Sequence, residues 1–256
     1  MNETEKRYTR YAICREMLET PKVIRSMPVD RIKQFARPSE GAFLTGEGSS
    51  RIFPAKHLRD TALKRGDPGV ILTESASDAA TYDLSGMSVY VASNSGKTAE
   101  CVRLIRSLRS AGAGGHIVGI AGNSDTPVAA ESDEAYVLTC GPEEAVAATK
   151  SVIEQALFYD ILFRLRDGRE LPDLEALAAA VRSALWADVP PELTEALAAA
   201  PVAYFAGRNN GVAEELTLKA NEIVRARSDF LPGTYAVHGI EEVMDPRDVV
   251  DRKSVV

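Results

Sequence analysis

A run of small polar residues follows an apolar stretch in the first half of the chain. Residues 87–92, MSVYVA, are followed within six positions by three hydroxyls and an amide, on Ser93, Asn94, Ser95 and Thr98. Where a strand turns into a helix, backbone N–H groups and the positive end of the helix point toward the turn. Hydroxyls add donors without charge, and Gly96 lets the backbone come close to an anion. This pattern predicts a phosphate-binding turn.

Other interpretations compete with phosphate binding. Ser93 or Ser95 is also a suitable N-cap for the helix that follows. A Walker A loop fails because the glycine that it requires is a valine here, Val91. A dinucleotide fingerprint beginning at GEGSSR, residues 46–51, lacks its third glycine, although Glu74 stands where a ribose-binding acid would. The N-cap and NAD interpretations therefore stay open beside the phosphate one.

The elements that must position this turn are indicated by the hydrophobic pattern. Short apolar runs of the kind buried on both faces of a parallel sheet recur between helical segments, at residues 42–45, 69–73, 87–92, 116–121 and 135–139. Strand, turn and helix in this order predict a doubly wound parallel α/β sheet, which binds ligands at the carboxyl ends of its strands. The polar turn lies at one such end.

Segments on either side of this series complete the predicted organisation. Helical periodicity predicts two or three lead-in helices over residues 1–37 and a long helix over residues 143–165. The alanine-rich residues 172–199 are followed by a strand, the glycine turn GRNNG and a helix over residues 212–227. This order of strand, glycine turn and helix repeats that of residues 42–65. Few residues follow, so we expect a truncated internal repeat.

Composition excludes several classes of protein. The 256 residues carry a net charge of −7 with both signs interspersed, which argues against a nucleic-acid-binding surface. The three cysteines are too few and too scattered for a disulfide framework. No apolar stretch is long enough to cross a membrane or to form a signal core, so we expect no membrane partner and a cytoplasmic location.

Four stretches resemble the sugar isomerase (SIS) domain family. SNSGKTAE, residues 93–100, resembles its S-x-S-G-x-T loop, and TGEGSS, residues 45–50, resembles its earlier G-x-G-[ST]-S turn. GPEEAVAATKS, residues 141–151, is similar to the G-P-E-x-x-V-A-x-T-K signature in the isomerase part of glucosamine-6-phosphate synthase. MLETPKVIRSM, residues 17–27, resembles the segment before that part. The resemblance implies a flavodoxin-like SIS domain.

This resemblance also implies a division of the chain. It covers residues 12–165 well and residues 201–244 more weakly. We expect a helical lead-in, a SIS domain, a helical linker and a partial second SIS-like repeat, over residues 1–37, 38–168, 169–200 and 201–256. An incomplete second sheet leaves apolar faces open, so we expect a homodimer with a shared active site.

The residues that hold the substrate are implied by the family motifs. The phosphate of a phosphosugar would be bound by Ser50, Ser93, Asn94, Ser95 and Thr98. A backbone contact to the sugar would fall at Val146. For Glu143 two roles stay open, one lining the sugar and one structural, because a carboxylate near a phosphate is unfavourable unless it is turned away.

Catalytic residues are implied by the second repeat. In residues 217–239, Lys219 and Glu222 match the family's L-K-x-x-E, and His238 follows Glu222 by the family's sixteen residues. By resemblance Glu222 moves the proton between two carbons, His238 opens the ring and Lys219 steadies the oxyanion. Moving a carbonyl group from one carbon to the next needs such an acid and base pair. The alternative is that Glu222 only pairs with Lys219 at i,i+3 on a helix surface.

The match also departs from the family in its last part. The family's H-G-P is HGI here, and the tail DPRDVVDRKSVV only faintly resembles the family's C-terminus. On that faint match Lys253 would reach the sugar, and the alternative is an ordinary basic tail. We take His57 and His116 as structural or surface groups.

The sequence thus predicts a phosphosugar aldose–ketose isomerase or an amino-sugar-phosphate deaminase. It implies no cofactor and no metal ion. The alternative is a non-catalytic SIS-type protein that binds a sugar phosphate and regulates a partner. NAD-linked chemistry is a more distant possibility.

Overall fold

The N-terminal part of the protein is a set of helices. The structure is a computed structural model that describes residues 1–37, 41–112 and 115–252. Its first range contains α1 (Lys6–Thr9), α2 (Ala12–Arg25) and α3 (Val29–Ile32), then a 3-10 turn at Lys33–Phe35. This agrees with the predicted helical lead-in.

A five-stranded parallel sheet follows the lead-in. Its strands are β1 (Gly41–Gly46), β2 (Val70–Ser75), β3 (Ser88–Ser93), β4 (Ile117–Ala121) and β5 (Glu134–Val137). They pair in the order β2-β1-β3-β4-β5. The connections contain α4 (Ile52–Arg65), α5 (Ala76–Ala79), α6 (Ala99–Ala111) and α7 (Pro127–Ala130). The predicted doubly wound sheet is confirmed, and its order reverses between β1 and β3, a position where such sheets bind ligands.

Helices cover both faces of this sheet because its side chains alternate between them. Tyr90 and Ala92 of β3 pack into a cluster with α4 and with α8 (Lys150–Arg166), whose Phe158 is fully buried. Val89 and Val91 face the opposite side and pack with α5, α6 and α7. The two largest clusters of the core therefore lie on the two faces of this sheet.

A second, smaller sheet lies in the C-terminal part. After α9 (Leu174–Trp186) and α10 (Pro191–Ala199) come β6 (Ala203–Gly207), α11 (Val212–Lys219), β7 (Ser228–Pro232) and β8 (Val249–Arg252). The strands are parallel in the order β7-β6-β8. Over the described ranges, no helix is both long enough and apolar enough to cross a bilayer.

The helix predicted over residues 143–165 begins later than expected. The structure starts α8 at Lys150. The preceding backbone is not helical because carboxylates capture its N–H groups, as Glu16 does with Glu144 and Ala145. An amphipathic pattern does not reveal such competing acceptors.

The helix predicted over residues 212–227 is also shorter. Regular α11 ends at Lys219, and a π-type turn continues to Val224. Arg225 has a φ of +58°, which ends the helical path. The turn leaves Glu222 at the edge of the helix rather than in its middle.

The two sheets meet where α11 packs on α4. Gly211 precedes α11 with a φ of +87°, and a Cβ there would lie 2.3 Å from the Ile52 carbonyl oxygen. Lys56 of α4 pairs with Glu214 and donates to Asn209 Oδ1 at 3.0 Å. These contacts bring α11 beside the first turn after β1.

Candidate active site

The turn from β3 into α6 directs its hydroxyl groups toward one another. Ser93 Oγ lies 2.7 Å from Thr98 Oγ1 and 3.4 Å from Ser95 Oγ. Thr98 occupies the N-cap position of α6, yet no side chain caps this helix. The N-cap interpretation of Ser93 and Ser95 is therefore wrong. The first N–H groups of α6 remain directed at the turn, as an anion site requires.

Gly96 makes this turn compact. Its φ is +63°, and a Cβ there would lie 2.2 Å from Thr126 Oγ1. The Gly96 N–H donates to the Ser93 carbonyl at 2.9 Å, and its carbonyl accepts from the Val128 N–H at 3.1 Å. The turn is therefore held between β3 and α7, and only glycine fits at this position.

The turn after β1 lies against the turn after β3. Gly46 brings the two strands close, since a Cβ there would lie 2.6 Å from the Ala92 carbonyl oxygen. Ser50 Oγ accepts a long hydrogen bond, 3.4 Å, from the Asn94 N–H. The residues predicted to bind phosphate thus lie together at the carboxyl end of the sheet. We call them the hydroxyl cluster: Ser50, Ser93, Asn94, Ser95 and Thr98.

Glu143 ties the segment after β5 to the hydroxyl cluster. Its carboxylate accepts from Asn94 Nδ2 at 3.1 Å and from the Thr149 N–H and hydroxyl at 2.8 and 3.0 Å. The Ser151 hydroxyl is a further donor. Of the two roles left open for Glu143, these contacts favour the structural one, because both oxygens are engaged by protein donors.

Glu154 holds the start of the same segment. This fully buried carboxylate accepts from the Tyr136 hydroxyl at 2.8 Å, from the Thr139 N–H at 2.7 Å and from the Cys140 N–H at 2.6 Å. Burial and the nearby Glu154 charge raise the pKa of the Cys140 thiol, so it stays protonated. A protonated thiol of this kind fits a packing role for Cys140.

Lys219 reaches from α11 to the first turn. Its Nζ donates to Ser49 Oγ at 2.7 Å and to Glu222 Oε2 at 3.1 Å. Glu215 Oε1 lies 3.3 Å from the same nitrogen. Because Ser49 is the neighbour of Ser50, these contacts set Lys219 and Glu222 beside the hydroxyl cluster. The helix-surface pair weighed as an alternative for Glu222 is present, and its Lys219 also bonds to Ser49 in the turn after β1.

A pocket of about 250 Å³ contains Glu222 together with the segment after β5. Val146, whose side chain is fully exposed, lines it. The beginning of α2 supplies the remaining wall through Tyr11, Ala12 and Ile13. The structure therefore brings Val146 and Glu222 to one pocket.

Of the predicted site residues that the structure describes, only Val146 and Glu222 line this pocket, whereas Lys219, the hydroxyl cluster and His238 do not. His238 follows a 3-10 turn at Tyr235–Val237, is exposed, and its imidazole makes no hydrogen bond with another described residue. Lys253 lies outside the described residues.

The other histidines have partners remote from this pocket. His57 packs its ring 5.1 Å from that of Phe53, and burial lowers its pKa. His116 Nε2 lies 3.2 Å from a Glu134 carboxylate oxygen. Both contacts fit the structural or surface roles expected for them.

Sequence reasoning missed Ser49 and Glu16. Ser49 was hidden beside Ser50, although two adjacent serines in GEGSS were a visible signal. Glu16 is only 5% exposed and lies on the buried side of α2. A charged residue on the apolar face of an amphipathic helix was the signal that could have identified it.

Comparison with known proteins extends this picture. Glutamine–fructose-6-phosphate aminotransferase (isomerizing) of Aeropyrum pernix is 30% identical over 182 residues, which are 65% of this chain and 29% of that protein. The chain spans less than a third of the length of the curated relatives it matches.

Solved structures share the fold at lower identity. The C-terminal domain of glucosamine-fructose-6-phosphate aminotransferase from Francisella tularensis superimposes with a TM-score of 0.77 at 18% identity, over 96% of this chain and 77% of that one. Glucosamine-6-phosphate deaminase from Thermotoga maritima gives 0.73 at 18% identity, over 94% and 76%.

The SIS domain profile matches residues 85–165, a range that holds β3, the turn after it and most of α8. The turn that forms most of the hydroxyl cluster is thus part of the matched region. Residues 85–165 thus match the SIS domain profile, and almost the whole chain shares its fold with the C-terminal domain from Francisella tularensis.

Proposed function

We propose that this protein converts a phosphorylated sugar, as an aldose–ketose isomerase or as a deaminase of an amino-sugar phosphate. One observation carries the proposal: Lys219 joins Glu222 to the turn of the hydroxyl cluster through Ser49. Glu222 and Lys219, a base and an acid, thereby lie next to the hydroxyl cluster, which suits a phosphate. The names of the Aeropyrum pernix and Thermotoga maritima proteins support the same class of reaction.

The phosphate group is the anchor in this proposal. The hydroxyl cluster offers hydroxyls and the N-terminal N–H groups of α6, and Gly96 allows close backbone approach. Neutral donors and a helix end suit a doubly charged phosphate in a protein of net charge −7. The sugar would then extend toward Val146 and the Glu222 pocket.

Glu222 acts as the base in the proposed reaction. Its carboxylate takes the proton from C2 of the open-chain aldose and returns it to C1, passing through an enediolate. Lys219 stabilises the negative oxygen that develops. For isomerisation no atom is gained or lost, because one proton moves between carbons and another between the two oxygens.

Deamination uses the same proton transfer. Moving the C2 proton of an amino-sugar phosphate to C1 converts the amine into an imine at C2. Water then adds to the imine carbon, and ammonia leaves to give the ketose. The residues are the same, so product analysis decides between the two reactions.

His238 needs a second copy of the chain in this proposal. It is exposed and does not line the Glu222 pocket, whereas ring opening requires it at the sugar. We propose a homodimer in which His238 of one protomer completes the site of its partner. Lys253, outside the described residues, remains proposed as a further sugar contact.

A regulatory protein that only binds a sugar phosphate is the second candidate. The exposed position of His238 and the three-stranded second sheet favour it. In this candidate function the hydroxyl cluster binds the phosphate in the same way, but Glu222 has no catalytic role.

Replacing Glu222 separates these two functions. With a panel of hexose and hexosamine 6-phosphates, we expect Glu222→Gln to lower turnover by about 10²- to 10⁴-fold while retaining binding, since it removes the base but keeps the shape. Ketose and ammonia are measured separately, and binding is measured by calorimetry.

The matched control is Glu195→Gln, which changes an exposed carboxylate of α10. It should turn over like the wild type. Wild-type protein that binds a sugar phosphate without converting any would support the regulatory candidate, and failure to bind any would refute both.

A further inference from the structure

The segment after β5 forms one wall of the Glu222 pocket, yet it has no helix or strand of its own. Residues 141–149 run irregularly between β5 and α8. Glu154 holds the start of this segment and Glu143 is bonded near its end. Ala145 and Val146, which face the pocket, lie between these two anchors. Another contact must hold them.

Glu16 of α2 supplies that contact. Its Oε1 accepts hydrogen bonds from the Glu144 N–H at 2.5 Å and from the Ala145 N–H at 3.2 Å. Successive N–H groups directed at one carboxylate oxygen fix the backbone direction directly before Val146. Charged acceptors make the strongest hydrogen bonds of this kind.

The second oxygen of Glu16 shows that this is a costly arrangement. Oε2 is buried and has no hydrogen-bond partner within the ranges that the structure describes. A buried carboxylate with an unused oxygen is unfavourable for folding. The nearby positive charge of Lys150 and the two backbone N–H donors offset this cost, so the visible role of Glu16 on the apolar face of α2 is to hold that backbone.

We propose that Glu16 is a positioning residue for the sugar: it holds the Ala145–Val146 backbone in the place where it contacts the substrate. This rests on the proposed function. Through Glu16 and the pocket residues Tyr11 and Ile13, the lead-in helix becomes a part of the sugar site. The proposal separates sugar recognition by this segment from phosphate recognition by the hydroxyl cluster.

A neighbouring contact offers the matched control. Arg15 of the same helix donates to Glu144 Oε2 at 3.0 Å, but the two side chains are 43% and 76% exposed. Exposed ion pairs contribute little, so Arg15→Ala should behave like the wild type.

The test compares two ligands that share a phosphate. We expect Glu16→Ala to weaken binding of a hexose 6-phosphate about tenfold or more, the effect of losing one hydrogen bond to the sugar from a backbone that is no longer held in place. Inorganic phosphate should bind as in the wild type, because the hydroxyl cluster is unchanged. Glu16→Gln keeps an acceptor oxygen and should recover most of the sugar-phosphate affinity.

Amide hydrogen exchange gives a second readout that needs no sugar. Glu16→Ala should raise exchange at residues 144–146 more than in the core strands, and Glu16→Gln should raise it less. If the wild type binds no sugar phosphate, the proposed function fails, and the exchange result still decides whether Glu16 holds this backbone.

Two results would overturn the inference. Equal losses of phosphate and sugar-phosphate affinity in Glu16→Ala would mean that the residue only supports the fold. If amide exchange at residues 144–146 is as slow in Glu16→Ala as in the wild type, the backbone is held without Glu16.

Discussion

Lys219 has two carboxylates and a hydroxyl around its ammonium group. Glu215 and Glu222 together carry more negative charge than Lys219 offsets, and Ser49 provides a neutral acceptor. An incoming oxyanion would compete with these carboxylates for the same cation. In the proposed reaction, substrate binding therefore releases Glu222 from Lys219 and frees it to accept a proton.

Gly96 is the residue on which the shape of the hydroxyl cluster depends. We expect Gly96→Ala to weaken binding of inorganic phosphate and to lower the thermal midpoint, because a Cβ would lie 2.2 Å from Thr126 Oγ1 at a φ of +63°. The backbone conformation alone costs about 1–2 kcal/mol for a residue with a Cβ. Calorimetric binding and thermal unfolding measure the two effects.

Gly66→Ala is the control for that substitution. Gly66 has nearly the same φ, +66°, with nothing within 4 Å of the added Cβ. Gly66→Ala should lower the thermal midpoint through the backbone cost and should bind inorganic phosphate like the wild type. Equal stability and equal phosphate affinity in the two variants would contradict the role given to Gly96.

At the scale of elements, α4 carries a histidine that makes stability depend on pH. Burial lowers the pKa of His57 from its usual value near 6.5, while Asp160 and Asp60 act in the opposite direction. The unfolded chain therefore binds this proton more readily than the folded protein. Stability contributed by the neutral ring is present above pH 6.5, the pKa of the unfolded chain, and is lost as the pH falls from there through the lower pKa of the folded protein.

Replacing this histidine tests the linkage. We expect the free energy of unfolding in urea to drop between pH 7.5 and pH 5.5, and to drop less in His57→Gln, because that variant has no proton to bind at this position. Unfolding curves at both pH values measure the difference. An unchanged drop in the variant would show that His57 does not contribute.

Strands and helices could be predicted from the sequence to different degrees. The apolar runs at residues 42–45 and 87–92 correspond closely to β1 and β3, since a strand buried on both faces leaves a local signature. Residues 143–149 carried a helical pattern but are irregular, because their N–H groups bond to distant carboxylates such as Glu16. Local pattern decides an element only where no remote acceptor competes.

Considered as a whole molecule, the protein leaves apolar side chains around its second sheet uncovered. Val224, Val237 and Val243 are 69%, 64% and 73% exposed. Such a surface beside a three-stranded sheet is typical of an interaction face. Val237 directly precedes His238 in the chain, which suits the proposed homodimer.

A complementation experiment tests the shared site. Glu222→Gln and His238→Ala should each be inactive alone, whereas an equal mixture after subunit exchange should regain about a quarter of wild-type activity. Half of the dimers are then mixed, and each has one site with both residues intact. Activity is followed as ketose formation.

The outcome depends on which protomer supplies the histidine. A site completed within one chain would leave two defective kinds of protomer and no recovery in the mixture. Co-purified mixed dimers carrying two different tags provide a direct check of subunit exchange.

The amino-acid sequence alone determined the parallel sheet, the place of the polar turns and the residue types for phosphate chemistry. These follow from short-range patterns of burial and from turn residues that act within a few positions. Tertiary structure decided which side chains meet: Lys219 and Ser49 are 170 residues apart, and Glu16 and Glu144 are 128 apart. Contacts over such distances depend on how α11 and α2 pack against the first sheet, which no local pattern specifies.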